Sequence, residues 1–427
     1  MSFKDFQKAS SRLTIRDAGF LVLAAVIVTL VLAGLAVGNY YLANVLPDGG
    51  EFYLLRIGGR SFLFDRIEPY SGVVPARVQE QVYGRAALSG DDAYILDIPF
   101  HLLIIFFPLA LFPDVLIARA FWMAFSEIAL AGYIYFSFRL LERQISIFFI
   151  ILISIACFVS FYTYYAFFEG SLAILLGLAY IGILLSLQIR FDELAGALMV
   201  LSGFQWEVGG PFLLFIVLWV VWEKRWRVFF GAAMLAFILL VVSFFLYPGW
   251  VISFLRATWN SIQVGYGFSV HEIMDQIWPA FGSTLGWILT AVLVVLLGYE
   301  WAGARGTDSH RFIWAICLTF AATPLLGFRV EMDQLLFLTL PVILIVVVSR
   351  ERWRKFGNGA AIFLVLFYFG VPWLLYTQGA PQWIDLPDGE ILFLFWPLFV
   401  FIGLYWVRWW TIRPPRTWLD QTEKVKQ

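Results

Sequence analysis

Charge is scarce in this chain: 14% of its 427 residues are Asp, Glu, Lys or Arg, against 61% hydrophobic and 19% aromatic. So low a share cannot cover a water-soluble globular surface, and with a mean hydropathy of +0.83 it excludes the soluble enzyme classes. The two cysteines, Cys157 and Cys317, fall inside apolar runs, which removes a disulfide framework and a thiolate metal site. Histidine is almost as rare. His101, His271 and His310 lie in separate segments with no HExxH or paired spacing, so no metal ion is expected. No glycine-rich phosphate loop is present, and neither a nucleotide site nor any other cofactor is expected. A net charge of −1 conceals an uneven distribution along the chain and says nothing by itself about nucleic acid, which is not an expected partner. The chain also lacks a low-complexity segment and a repeat strong enough for transporter-type symmetry.

Apolar runs are what the chain has. Spanning a bilayer takes about 20 apolar residues, with roughly 17 to 25 allowed. Candidate spans are 18–38, 116–138, 145–161, 171–188, 194–208, 211–222, 227–246, 283–299, 311–327, 334–349, 358–376 and 391–407, which predicts about 12 crossings. The first run lacks a small-residue cleavage site and is read as a retained helix. The segment IPFHLLIIFFPLALF, 98–112, is broken by Pro108 and ends at Pro113; fifteen helical residues rise only about 22 Å.

Cation placement sets the expected topology, because cytoplasmic loops collect Lys and Arg. With the N-terminus inside and 98–112 not crossing, the loops near Arg139, Arg190, Arg225, Arg305 and Arg350 and the C-terminal tail 408–427 all fall inside. That places 21 of the 29 Lys and Arg in the cytoplasm. The outer face keeps Arg56, Arg60, Arg66, Arg77, Arg85, Arg119, Arg256 and Arg329, and it is net acidic. It also carries the two long soluble segments, 39–115 and 247–282. The chain 1–427 thus reads as one integral domain of a plasma membrane, multi-pass, with cytoplasmic termini and a long external first loop. Within 247–282, mixed Trp, Tyr and Phe with sparse charge predict an interfacial helix.

In the first loop, a helix is expected to run to Phe64 and a second from Pro75 to Tyr83, with Gly84 as its stop. Glu51 has two readings. Asp48-x-x-Glu51 has the form of a capping box, which would confine both side chains to the helix start. Against that, Arg56 and Arg60 sit about 140° and 180° around the helix from Glu51, so an intrahelical ion pair does not absorb its charge. Glu127, near the middle of 116–138, is expected to face the bundle, paired or protonated.

The stretch GGEFYLLRIGGRSFLFDRIEPYSGVVPARVQEQVYGR, followed by IPFHLLIIFFPLALFPDVLIARAFW, resembles the first loop and following helices of the family 87 glycosyltransferases. The later segments GFQWEVGGPFLLFIVLWVVWEKRWR and FRVEMDQLLFLTLPVILI also resemble that family. The resemblance implies an all-α polytopic transmembrane bundle of GT-C type, with juxtamembrane helices in the long first loop. It implies a hexosyltransferase, a mannosyltransferase by family expectation, with a polyprenyl-phosphate sugar donor and a lipid or glycan acceptor. The family's acidic residue of the first external loop corresponds to Glu51, the expected base. The chain departs from the family's Lys-Pro-Gln at Trp206-Glu207-Val208, from its Gly-Gln pair at Gly170-Ser171 and from its paired prolines at Ile98-Pro99. Arg119, Arg256, Arg329 and Arg60 are the candidate phosphate ligands, with Glu207, Glu331 and His101 as further substrate contacts. A non-catalytic lipid-binding or transport protein on the same fold is the alternative. Membrane lipids are partners under either reading.

Overall fold

The structure is a computed structural model that describes residues 15–45, 49–88, 91–143, 145–264, 267–306, 309–353, 356–378 and 395–412. Helices account for all regular structure among these residues, apart from one isolated antiparallel bridge between Phe268 and Val330. Among the described residues, five helical stretches are long and apolar enough to cross a membrane: 115–140, 227–246, 282–303, 333–352 and 357–377. The number is seven if two bent pairs each count as one span. Other runs among the expected crossings form shorter apolar helices, such as Ala173–Gln188, Asp192–Leu201 and Trp206–Trp222.

In chain order the helices that matter below are α1 (Ile15–Val45), α2 (Gly50–Leu63), α3 (Val73–Tyr83), α4 (Val115–Leu140), α5 (Ile147–Phe158), α6 (Phe161–Glu169), α7 (Ala173–Gln188), α8 (Asp192–Leu201), α9 (Trp206–Trp222), α10 (Arg227–Leu246), α11 (Trp250–Val264), α12 (Val270–Ile277) and α13 (Gly282–Gly303). A 3-10 turn at Asp333–Leu338 then leads into α14 (Thr339–Arg352). The 333–352 stretch is the centre of the molecule, 94% buried, whereas α10 is 17% buried. On α10, Phe230, Phe237 and Phe245 stand exposed, which a bilayer satisfies and water does not. Around the central stretch, Phe212 stacks on Phe320 with ring centroids 4.9 Å apart and meets Tyr180 at a tilt, 4.8 Å away.

One helix pair shows why small residues recur. A Cβ at Gly196 would lie 1.9 Å from the Val228 carbonyl oxygen, and one at Gly231 would lie 2.1 Å from that of Glu193. The backbones of α8 and α10 therefore touch, as membrane helices do when glycines line the contact.

The first loop folds largely as its sequence predicts. Helix α2 lies at 98° to the end of α1, and Gly49, just before α2, has φ 129. Only glycine adopts that backbone readily. Helix α3 ends on left-handed Gly84. Residues 100–110 form a stepped helical segment. Its eleven residues rise only about 16 Å, too short to cross. Helix α11 shows a stripe of exposed Ile252, Leu255, Trp259 and Ile262 on one face, opposite buried Trp250 and Ala257. That is the pattern of a helix lying at an apolar boundary.

The loops rich in Lys and Arg meet one another. Arg143 pairs with Glu351, Arg225 with Asp192, Gln188 binds Glu142, and the Gly306 amide donates to Glu223 at 3.0 Å. The C-terminal residues 413–427, most of the predicted tail, lie outside the described residues, as do 1–14.

Candidate functional site

Glu51 sits in the first turn of α2, but it does not cap its own helix. The N-cap is Gly49 and makes no side-chain hydrogen bond. Asp48, the other half of the expected capping box, lies outside the described residues. Instead the Leu172 amide, just before α7, donates to Glu51 Oε2 at 3.1 Å. The turn that presents this amide is built for close approach. Gly170 has φ 69, and a Cβ there would lie 2.5 Å from that of Phe52 on α2. Trp122 of α4 fixes the turn by donating to the Gly170 carbonyl at 2.8 Å. The next residue, Ser171, donates its hydroxyl to Asp333 Oδ2 and accepts from the Ala173 amide at 3.0 Å. Residues 170–172 thus tie two carboxyl groups from distant parts of the chain.

Glu51 and Asp333 face a cavity of about 670 Å³. Its lining carries the further carboxylates Asp91, Asp92, Asp97, Glu169, Glu207 and Glu331, with aromatic rings including Tyr83, Tyr94, Tyr165, Trp206 and Phe328. Arg329 is the one cation among the described lining residues, and it is paired with Glu272. Helix α11 closes the opposite side, where Ser261 donates to Asp97 Oδ2 at 2.8 Å.

Crowding so many carboxylates away from water shifts their titration. Burial, and next the negative charge of Asp333, push Glu51 up to about 8. Glu331 is raised well above the usual carboxylate range by burial, then by Asp333 and Glu51. Burial raises Asp97 as well, partly offset by the Ser261 hydrogen bond. A cavity of this kind holds protons near neutrality, and it offers acceptors and acids in one place.

Four of the residues singled out from sequence therefore converge: Glu51, Glu207, Arg329 and Glu331 all line the cavity. The others lie outside its lining. Arg119 is buried, 2% exposed, and donates to the carbonyls of Ala43 at 3.4 Å and Phe168 at 3.2 Å. Its guanidinium also lies against Gly49, just before α2. Arg60 reaches the Ala110 carbonyl at 3.4 Å and lines a separate groove with Asp65 and Arg77. Arg256 is exposed on α11. His101 is half-buried with its ring edge against Trp250 at 5.5 Å. Glu127, the mid-helix charge, accepts from Asn39 Nδ2 at 3.2 Å, so it serves the α1–α4 contact.

Asp333, Asp97, Gln205 and Thr258 are lining residues that sequence reasoning did not propose as site residues. Asp333 lies two residues from Glu331 in the run RVEMDQ, and that spacing was a usable signal. The polar residues of α11 gave none. Among the described residues, no group of three or more His, Cys, Asp or Glu is arranged to hold a metal ion. No family model, no curated protein and no solved structure matches this chain.

Proposed function

We propose that the protein is an integral-membrane hexosyltransferase of GT-C type, with about twelve crossings in the full chain. It moves a hexose from a polyprenyl-phosphate donor to a lipid or glycan hydroxyl at the outer face of a plasma membrane. The basic end and both termini face the cytoplasm on this reading. One observation carries it: the Glu51 carboxylate is turned into a large, partly aromatic cavity instead of capping its helix.

The chemistry is a single displacement. The acceptor oxygen attacks the anomeric carbon and forms the new glycosidic bond as the bond to the lipid phosphate oxygen breaks. Glu51 takes the acceptor proton, and the lipid phosphate leaves as an anion beside Arg329. A base that titrates at about 8 holds a proton strongly once it gains one, yet is partly ionised at neutral pH. The aromatic faces and carboxylates suit a sugar ring, which offers C–H faces and hydroxyl donors.

The test is transfer from a defined polyprenyl-phosphate hexose by purified protein. Glu51→Gln keeps the side-chain shape and removes the base, so transfer should fall about 100- to 10,000-fold with donor binding retained. Unchanged transfer by a folded Glu51→Gln protein would sink the assignment. Arg329, the one cation among the described lining residues and already paired, favours a second reading, a lipid-binding or lipid-moving protein that performs no transfer. Donor binding by the wild type without any product would select it.

A further inference from the structure

The central 333–352 stretch has a second end, away from the cavity. Arg352, the last residue of α14, lies against three indole rings: its guanidinium carbon is 3.3 Å from the ring centroid of Trp410, 5.7 Å from that of Trp353 and 6.0 Å from that of Trp406. Trp353 and Trp406 meet edge to face at 5.2 Å. Trp406 and Trp410 belong to the last described helix, Phe395–Ile412, which packs along α14. At so short a distance the guanidinium lies flat on Trp410, so stacking engages its faces and leaves the N–H donors, which point outward in its plane, for another group. Among the described residues Arg352 is exposed and has no hydrogen bond or ion pair.

Charge says what the free donors await. Nearby acids are taken by other cations: Glu351 pairs with Arg143, and Glu300 with Arg408 at 2.9 Å. Segment 350–356, RERWRKF, carries four cations and one acid, so the missing group is an anion. The surroundings say which kind. Phe399, Ile402 and Trp406 are exposed and recur three and four residues apart, so they form one apolar stripe that ends at Trp410. The buried contacts of that helix, Trp396, Val400, Leu404 and Val407, lie on another face. Asp333 and Arg352 stand at opposite ends of a stretch long enough to cross a bilayer, about 30 Å apart. The Arg352 fork therefore lies at head-group depth, and the stripe runs from it into the hydrocarbon. A free phosphate ion would use the fork alone, whereas a phospholipid uses both.

We infer that Arg352, held by Trp353, Trp406 and Trp410, binds the phosphate of an anionic phospholipid in the leaflet away from the cavity, with one acyl chain along Phe399 and Ile402. The planar fork suits bidentate pairing with phosphate oxygens. The surplus positive charge of 350–356 disfavours a head group that also carries an ammonium. On the topology set by the cations this leaflet is the cytoplasmic one. The site stands under either reading of the cavity.

Native mass spectrometry of the full-length protein in detergent supplies the test, with phosphatidylglycerol, phosphatidylcholine and inorganic phosphate as separate probes. One phosphatidylglycerol should be retained roughly tenfold more tightly than phosphatidylcholine, and phosphate alone should not be retained. Arg352→Gln should weaken that binding about tenfold. Lysine lacks the planar fork, so Arg352→Lys should restore only part of the loss. Trp406→Leu leaves every charge in place and should weaken binding severalfold. Arg139 is the control: it is exposed at the end of α4 with no ring against it among the described residues, so Arg139→Gln should change nothing. The inference is overturned if no phosphatidylglycerol is retained, if phosphatidylcholine binds equally, or if phosphate alone occupies the site. It is overturned as well if Arg139→Gln weakens binding as much as Arg352→Gln, or if either folded variant, Arg352→Gln or Trp406→Leu, binds like wild type. Lipid that binds only once Asp420→Asn and Glu423→Gln are combined would also overturn it, since the acidic residues of the tail would then be the occupant.

Discussion

The two chemically distinct regions of the molecule treat charge in opposite ways. Among the basic loops each described acidic group near a cation has a use: Glu351 takes Arg143, Asp192 takes Arg225, Glu223 takes the Gly306 amide. Around the cavity, carboxylates gather with one arginine between them, and burial raises the titration of Glu51, Asp97 and Glu331. The first arrangement is closed, since these acidic groups are satisfied. The second is open, because Glu51, Asp97 and Asp333 are held in place by backbone and hydroxyl donors. Groups kept in an unfavourable state by surrounding structure mark the place where a ligand or a reaction supplies what is missing.

If the contrast holds, damage to the closed region reads out as stability and damage to the open one as chemistry. Beyond the loss expected for Glu51→Gln, the largest effect belongs to Arg225→Ala. Asp192 is buried on α8, and without the guanidinium its charge is uncompensated, a cost of about 3 kcal/mol. Thermal unfolding in detergent should drop by several degrees, with the transfer rate per folded molecule unchanged. A variant that unfolds normally but loses transfer would show that the basic loops take part in catalysis, and the comparison would break.

The next effect is pH dependence, set by Glu51 and the Asp333, Glu331 and Asp97 carboxyls that face it. As a base Glu51 works only when ionised. The rate, kcat/KM, should therefore rise about tenfold per pH unit below about 8 and level off above it. Stability should run the other way. The folded value of about 8 exceeds the ordinary 4.5, so the folded protein retains a proton that the unfolded chain releases between those limits. The stabilising contribution is complete below about 4.5 and lost as pH rises through about 8. A rate that falls over pH 6 to 8 would mean that the protonated form is the active one.

Much of the loop architecture could be read from sequence because its signals are local. Gly84 as a stop, the short proline-broken 98–112 segment and the mixed aromatic helix of 247–282 each rest on a few adjacent residues. The number of crossings was harder. An apolar run of sixteen residues such as α7 looks the same whether it spans a bilayer or is packed beside the central 333–352 stretch. Glu51 was legible as a candidate, but its use was not. Whether Asp48-x-x-Glu51 closes on itself or opens to Leu172 depends on a contact 121 residues away. The arginines failed for the same reason. Arg119 and Arg329 look equivalent along an outer face, yet one is drawn to backbone carbonyls and the other to the cavity. Asp333 and Gln205 acquire meaning only when α7, α9 and the 333–338 turn meet.

Arg329 offers the smallest and sharpest probe of the open region. Its pair with Glu272 is about 40% exposed on both sides, so Arg329→Ala should cost at most about 1 kcal/mol of stability. If the donor phosphate lies beside it, the same change should raise the donor KM about tenfold, since a charged hydrogen bond to phosphate is lost. Lysine restores charge without the bidentate fork, so Arg329→Lys should recover only part of the loss. The opposing change tests whether the pair restrains the site. Glu272→Gln removes the competitor for the guanidinium and should lower the donor KM, with stability nearly unchanged. A donor KM that moves with neither Arg329 nor Glu272 would leave the departing phosphate without a cation on this wall. The cavity would then bind a neutral head group alone, as the lipid-binding reading requires.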